Sequence, residues 1–223
     1  MSIPHAHGEL MARQGGLRSV FQEYELLVAK ADAAFRQVAR EWVDLVNCRA
    51  GCYDCCQAVF GVFPVESVYL GYHFQALAAE RKREAVARAE QFDRELAAIQ
   101  ARYGNGNPDD LAAGLARERV RCPLLGPDRR CLLYGSRPLT CRVYGIPTVI
   151  RGRSHVCGKS GFPKGGTFPA FNLDLVNREL YRLSGRLLET HGNPEAASSV
   201  LYAVSRSLQP DLWELMKAGG IQV

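Results

Sequence analysis

The sequence predicts a mainly α fold, a helical bundle that carries one irregular segment rich in Cys, Gly, Pro and Arg. Apolar residues recur every three or four positions in the N-terminal part of the chain, which is typical of a helix with one buried face. This periodicity is lost over residues 122–171, where glycine and proline become frequent. Since 223 residues can bury one sizeable core, we expect a single domain over residues 1–223.

The first predicted helix has a continuous apolar stripe. Its members are separated alternately by three and four positions: Phe21, Tyr24, Val28, Ala31, Phe35, Val38, Trp42 and Leu45. Such a stripe favours a core helix of a bundle over a dimerising coiled coil. We expect residues 1–15, which precede the stripe, to be disordered or frayed.

Further helices are predicted on both sides of the irregular segment. Pro64 can start a helix that reaches about Tyr103, with a break near residues 77–80. The turn GNGNPDD leads into a short helix from Pro108 to about Arg119. Three C-terminal stretches, starting at residues 172, 193 and 210, open with Asn, Asp or Pro and are expected to be helical. Short strands are expected over residues 143–150, with a hairpin turn at RGRS.

Hydropathy bears on the location of the protein. The N-terminal stretch lacks the apolar region of an export signal, and no run approaches the 18 apolar residues of a membrane span. We therefore expect a cytoplasmic protein that does not enter a membrane. Because cytoplasmic thiols stay reduced, eight cysteines point to metal binding or catalysis before they point to disulfides.

The cysteines fall into two groups. Four lie close together in CRAGCYDCC and four are spread over the irregular segment: Cys48, Cys52, Cys55 and Cys56, then Cys122, Cys131, Cys141 and Cys157. A metal held by both groups would staple the irregular segment onto the helices. The first three cysteines continue the helical spacing, but Gly51 is equally compatible with a tight loop, so both conformations remain open.

The kind of metal follows from the ligands. Thiolates select Zn(II), Cu(I) or iron–sulfur clusters. The side chains of the adjacent Cys55 and Cys56 diverge, which suits a polynuclear centre better than one tetrahedral ion. Residues 117–164 hold nine Arg and two Lys against two acidic residues, and guanidinium groups can offset the negative charge of a thiolate-bound metal. We therefore expect an iron–sulfur cluster of the 4Fe-4S type, with zinc as the alternative.

Three other interpretations are weaker. His155 could be a ligand, although a surface or core position is more usual for a single histidine. The C-x3-C-x2-C spacing that ends at Cys55 is also that of the radical-SAM loop, but Asp54 replaces the usual aromatic residue, and the alternating strands and helices of a barrel are absent. A thiol–disulfide role for CYDC lacks the surrounding β-α-β pattern.

Taken together, CRAGCYDCC and CPLLGPDRRCLLYGSRPLTCRVYG resemble the cysteine-cluster family of zinc- or iron-chelating domains, the YkgJ-type or CxxCxxCC proteins. The resemblance covers residues 47–157 and implies a metal site on all eight cysteines. That family includes proteins labelled iron–sulfur oxidoreductases, and its cysteine pattern is similar to that of flagellin lysine N-methylases. An oxidoreductase or a methylase-like enzyme is therefore implied without a defined activity. The glycine-rich turn of the common S-adenosylmethionine fold is not found in the sequence.

Three further residues of this motif are candidate cofactor contacts. Tyr134 can pack beside the site and donate its hydroxyl, and Arg142 can hydrogen-bond cluster sulfur or an anionic substrate. Arg137, with Pro138, favours an extended turn before Cys141, and its side chain can have a structural or a functional role.

Three functions compete on this basis. The first is a metal-cluster protein with an unidentified redox partner or substrate. The second is a structural zinc module whose basic loop engages an acidic partner or nucleic acid. The third is metal storage or delivery. Sparse aromatic residues disfavour nucleic acid, a core position of the cysteines favours a retained metal, and the oligomeric state stays open.

Overall fold

The computed structural model describes residues 4–103, 108–189, 201–209 and 212, and within these ranges it contains six α-helices and one three-stranded sheet. The helices are α1 (Pro4–Glu41), α2 (Pro64–Gln75), α3 (Ala79–Tyr103), α4 (Pro108–Arg117), α5 (Leu139–Val143) and α6 (Leu173–Glu189). The strands are β1 (Thr148–Ile150), β2 (Arg153–His155) and β3 (Phe171–Asn172). The predicted mainly α architecture is confirmed. None of the helices in the described ranges has the length and apolar character needed to cross a membrane.

The apolar stripe of α1 faces the core, as predicted. Its members Tyr24, Ala31 and Val38 are each at most 6 % exposed, and Leu17 and Val20, which precede the predicted stripe, are also buried. The other members of the stripe are partly buried against the same core, in which α1 packs against α5 and α6. Residues 4–15 have helical backbone and residues 1–3 lie outside the described ranges. Since one backbone conformation does not measure fraying, the frayed N-terminus stays a prediction.

The predicted break in the second helical stretch is confirmed. Helix α2 ends at Gln75 and α3 begins at Ala79. The backbone N–H groups of Ala76 and Leu77 donate to the carbonyls of His73 and Phe74, which closes the last turn of α2. Helix α4 begins at Pro108, as predicted, and ends two residues before the expected Arg119.

A buried carboxylate joins the start of α2 to the start of α5. Glu66 is 4 % exposed and accepts hydrogen bonds from the backbone N–H groups of Phe63, at 3.0 Å, and Leu139, at 2.9 Å. Burial raises the pKa of Glu66 to about 7, although both backbone donors and the charge of Arg142 act in the opposite direction. The side chain thereby positions α5, the helix that carries Cys141.

The small sheet begins with the predicted hairpin. Arg151 and Gly152 both have positive φ, 51° and 68°, as a two-residue turn of type I′ requires. Asp174 in the first turn of α6 accepts hydrogen bonds from both of their N–H groups, at 2.7 and 2.9 Å. The strand itself begins at Thr148 rather than at residue 143, because α5 occupies residues 139–143. β3 pairs parallel to β1 and was not predicted.

The irregular segment contributes to the apolar core. Leu124, Leu133, Leu139, Val143 and Ile146 are each at most 7 % exposed within the main core cluster. These side chains show that apolar packing provides part of the order of this segment. Stapling by a metal is an additional constraint and stays a prediction.

The C-terminal prediction was correct for α6 and wrong for the next stretch. Residues 201–203 are extended and lead into a 3₁₀ turn, Val204–Leu208, instead of continuing a helix. The reason is backbone pairing, since Tyr202 and Val62 exchange two hydrogen bonds of 2.8 Å. Residues 193–200 and the last predicted helix, except for Leu212, lie outside the described ranges.

Candidate metal centre

The first four cysteines lie beyond the end of α1. This helix ends at Glu41, so the alternative in which it continues through Cys55 was wrong and the loop alternative was correct. Gly51 has φ of +87°, a left-handed conformation that disrupts helical geometry. Cys55 and Cys56 follow in a 3₁₀ turn, Asp54–Cys56. The loop therefore presents four thiols within a short distance of α1.

Backbone hydrogen bonds join the two groups of cysteines. The N–H of Cys122 donates to the carbonyl of Cys56 at 2.8 Å, and the N–H of Val120 donates to that of Gln57 at 3.0 Å. The chain then turns back, with an isolated bridge between Leu125 and Cys131. Cys122 and Cys131 are thereby placed beside the Cys55–Cys56 turn without any metal bond.

The last cysteine is brought in by a second set of contacts. The side-chain amide of Asn47 donates to the carbonyl of Lys159 at 2.8 Å, and the N–H of Gly161 donates to that of Leu45 at 2.7 Å. The loop between β2 and β3 is thereby attached to the chain that follows α1. Cys157 lies in this loop and donates from its Sγ to Oδ2 of Asp54 at 3.1 Å.

Five neighbouring thiols form what we call the inner group: Cys55, Cys56, Cys122, Cys131 and Cys141. The Sγ atoms of Cys55 and Cys56 are 4.0 Å apart, so the expectation that these two side chains diverge was wrong. Hydrogen bonds from Cys141 and Cys56 lower the pKa of Cys55, and a hydrogen bond from Cys56 lowers that of Cys131. The same bonds raise the pKa of the donors, Cys56 and Cys141, and burial raises that of Cys122 to about 12. Cys55 and Cys131 are therefore the thiols of this group whose deprotonation their neighbours favour.

The remaining three thiols form the outer group: Cys48, Cys52 and Cys157. Burial raises the pKa of Cys48 to about 11, and the sulfurs of Cys52 and Cys55 raise it further. Burial also raises the pKa of Cys157 to about 11, with Asp54 acting in the same direction. The sulfur of Cys55, a member of the inner group, also raises the pKa of Cys48 in the outer group, so Cys55 is close to both groups.

The donor chemistry fits a thiolate-bound metal. All eight cysteines are free thiols, and seven of them line one cavity of about 740 Å³. Within the described residues, no three or more His, Cys, Asp and Glu side chains are preformed around a single ion position. Binding would therefore involve rotation of cysteine side chains together with loss of thiol protons. His155 is exposed on β2.

The predicted cofactor contacts have different surroundings. Tyr134 is 63 % exposed, and the guanidinium carbon of Arg137 lies 3.7 Å from the centre of its ring. The charge of Arg137 acts to lower the pKa of Cys48, Cys55 and Cys131, and Arg137 lines the cavity together with these three cysteines. Its Nε is buried and has no hydrogen-bond partner.

Arg142 is buried and forms hydrogen bonds within the protein. It is 6 % exposed, and its guanidinium donates to Asp32 at 2.7 Å, to the carbonyl of Arg137 at 2.9 Å and to the carbonyl of Gly135. These three bonds give Arg142 a structural role in shaping the turn before α5. A contact between Arg142 and a cofactor stays a prediction.

Sequence reasoning missed the role of Asp54. The residue is 3 % exposed and forms ion pairs with Lys159, at 3.2 Å, and Arg119, at 3.8 Å. Burial alone would raise its pKa, but hydrogen bonds from Cys157 and Lys159 outweigh burial and lower it. Asp54 thus holds the Cys157 loop beside Cys55. Its position directly before the paired cysteines was the one available signal.

Gly145 was also missed, and it makes room for Cys48. A Cβ at this position would overlap the Cβ of Cys48 and lie 3.1 Å from its Sγ. We expect Gly145→Ala to displace Cys48, lower the metal content and reduce the free energy of unfolding by about 1–3 kcal/mol. Metal analysis and urea unfolding measure both effects. Gly135→Ala is the matched control, since a Cβ there has no neighbour within 4 Å, and equal behaviour of the two variants would contradict the expectation.

Comparison with known proteins identifies the family. Neither the curated proteins nor the solved structures include a significant match to this chain. The model of the CxxCxxCC family, described as a "putative zinc- or iron-chelating domain", matches residues 47–158, half of the chain. The matched range includes all eight cysteines, Arg137, Arg142 and both residues that sequence reasoning missed. This agrees with the metal-binding chemistry of the thiol groups, and the chain therefore belongs to the CxxCxxCC family of zinc- or iron-chelating domains.

Proposed function

We propose that the protein binds an iron–sulfur cluster of the 4Fe-4S type through cysteine thiolates and uses it in a redox or substrate-modifying reaction in the cytoplasm. The observation that carries the proposal is the number of neighbouring thiols. The inner group has five, which is enough for the four cysteine ligands of a 4Fe-4S cluster, and the sulfur of Cys55 also raises the pKa of Cys48 in the outer group. A thiol that is close to both groups of cysteines suits a centre with several metal atoms.

The surroundings of the thiols support the same proposal. A bound cluster supplies one-electron transfer at a potential that its hydrogen bonds and burial adjust. Arg137 would offset the negative charge of the thiolates, and the Cys55–Cys56 turn would hold two ligands. Asp54 would keep the Cys157 loop in position.

Anaerobic purification tests the proposal. We expect a brown protein with about four iron atoms and four acid-labile sulfides per chain, with charge-transfer absorption and an EPR signal on reduction. Inductively coupled plasma analysis of the same sample measures zinc and copper. A colourless protein that lacks iron and sulfide after anaerobic reconstitution would overturn the proposal.

A structural zinc site is the second candidate, because one distance favours it. Two sulfurs on one tetrahedral zinc lie about 3.8 Å apart, since the Zn–S bond is about 2.3 Å long, and the sulfurs of Cys55 and Cys56 are 4.0 Å apart. This candidate predicts stoichiometric zinc without sulfide. Its basic loop would then bind an acidic partner or nucleic acid, and that binding would weaken as salt is raised.

A further inference from the structure

The cavity beside the cysteines is larger and more basic than a metal site alone requires. Its volume of about 740 Å³ lies in the range of small-molecule sites. Asp32 is the one acidic side chain among its lining residues, whereas six arginines contribute to the wall: Arg36, Arg49, Arg129, Arg130, Arg137 and Arg142. The cavity is thus lined by both thiols and guanidinium groups.

Five of these six arginines have no counter-ion in the described part of the chain. Arg142 pairs with Asp32, but no described carboxylate lies within 4.0 Å of the other five guanidinium groups. One Zn²⁺ ion bound by four thiolates has a net charge of about −2, so two such sites have a net charge of about −4. The five guanidinium groups without a described counter-ion carry one positive charge each. The cavity therefore stays positively charged even when two such sites are present.

Arg137 is the most confined of these groups. Its guanidinium carbon lies 3.7 Å from the ring centre of Tyr134, its Nε is buried without a hydrogen-bond partner among the described residues, and it lines the cavity together with cysteines of both groups. A guanidinium is planar, so its N–H groups can form the paired bonds that carboxylate and phosphate accept. Arg129 and Arg130 are exposed on the same cavity and extend the positive charge towards solvent.

The wall also has an apolar part. Phe35, Phe60, Leu70 and Phe92 line the cavity together with the arginines. Apolar lining with a few converging charged groups is typical of sites that bind a small organic molecule in one orientation. An inorganic anion would leave this apolar surface uncovered.

We propose that the cavity binds a small organic anion, an apolar body that carries a carboxylate or phosphate group, with Arg137 as the main contact of the anionic group. This anion is the substrate class of the metal centre, so the inference rests on the proposed function. The anion would lie against the thiol wall, where the metal is expected, and Arg129 and Arg130 would attract it from solvent.

Calorimetric titration of the anaerobically purified, metal-loaded protein tests the inference. Phenyl phosphate and benzoate are the probes, and benzyl alcohol is the neutral control of similar shape. We expect saturable one-site binding of at least one anion, weaker binding at higher salt, and no binding of benzyl alcohol. Tighter binding of phenyl phosphate would assign a phosphate ligand, and tighter binding of benzoate would assign a carboxylate.

Variants identify the contact. Arg137→Met should weaken binding of the preferred anion by about tenfold or more, since charged hydrogen bonds are lost. Because the charge of Arg137 also acts on the cysteine thiols, the double variant Arg129→Met/Arg130→Met provides a second test at exposed positions, with an expected loss of about threefold to tenfold. Arg182→Met, which removes an exposed arginine on α6 paired with Glu23, should leave the affinity unchanged.

Metal analysis of each titrated sample separates the two proposals. Wild-type protein with its full metal content that binds neither anion would overturn the inference and leave the proposed function intact. The same holds if the affinity is unchanged in both Arg137→Met and the double variant. Wild-type protein without iron and sulfide would overturn the proposed function, and an anion bound to it could no longer be assigned as a substrate of the centre.

Discussion

Replacing Cys55 by serine should remove nearly all bound metal, lowering the metal content per chain at least about tenfold, because a thiolate ligand contributes several kcal/mol to metal binding. Cys55 is the thiol whose neighbours include members of both the inner and the outer group. Its pKa is lowered by hydrogen bonds from Cys141 and Cys56, so it is the first thiolate available to an incoming metal. A serine at this position has a neutral hydroxyl group in place of the negatively charged, soft thiolate sulfur.

Cys56→Ser, measured beside Cys55→Ser, shows whether both adjacent thiols bind metal. If both do, both variants lose the bound metal, and the iron and sulfide content of the wild-type protein then distinguishes a polynuclear centre from one zinc ion. If one of the two thiols is spare, its variant keeps full occupancy.

Metal analysis and absorption spectra of anaerobically purified protein provide the readout. Tyr53→Phe is the control, because it changes the same loop without changing a thiol, and it should keep the full metal content. Full occupancy in Cys55→Ser would contradict the assignment of Cys55 as a ligand.

Arg142→Met should lower the free energy of unfolding by about 2–4 kcal/mol. The guanidinium is almost fully buried and bonds Asp32 and the carbonyls of Gly135 and Arg137. Its removal leaves the Asp32 carboxylate without its counter-ion, and breaking a buried pair costs about 3–5 kcal/mol. Because the Asp32 side chain is 30 % exposed, water can solvate part of the remaining charge, so we expect a value at or below the middle of that range.

Urea unfolding of metal-free protein measures this effect separately from metal binding. Arg182→Met is again the matched control, since its ion pair with Glu23 involves a side chain that is 48 % exposed. Exposed pairs contribute about 0–1 kcal/mol, so the control should change stability by no more than that. Equal losses in the two variants would show that the burial of Arg142 has no energetic consequence.

Local signals were sufficient for five of the six described helices, whereas the short helix α5 was not predicted. The three-and-four spacing of α1, Pro64 at the start of α2 and Pro108 at the start of α4 each act through contacts within a few residues. The same is true of the turn at Arg151 and Gly152, which directs β1 into β2. Prediction failed where a residue distant in the sequence determines the backbone conformation. Tyr202 is extended because it pairs with Val62, and no local sequence pattern indicates this contact.

The candidate residues of the site could be proposed from the sequence, but their arrangement could not. Cysteine spacing indicated the thiols as candidate ligands, and the family resemblance added Tyr134, Arg137 and Arg142. Their individual surroundings depend on folding. Arg137 and Arg142 are similar in the sequence, yet Arg142 is bonded to Asp32 on α1 whereas Arg137 keeps a free, buried Nε beside the sulfurs.

The amino-acid sequence by itself determined that this is a mainly α chain of the CxxCxxCC family with thiol chemistry, because helix periodicity and cysteine spacing are local properties. The tertiary structure decided which thiols are neighbours, how the charge is shared among them, and that Asp54 and Gly145 support the loops that carry them. The physical reason is that burial, hydrogen bonding and steric exclusion act between residues about a hundred positions apart, such as Cys157 and Asp54.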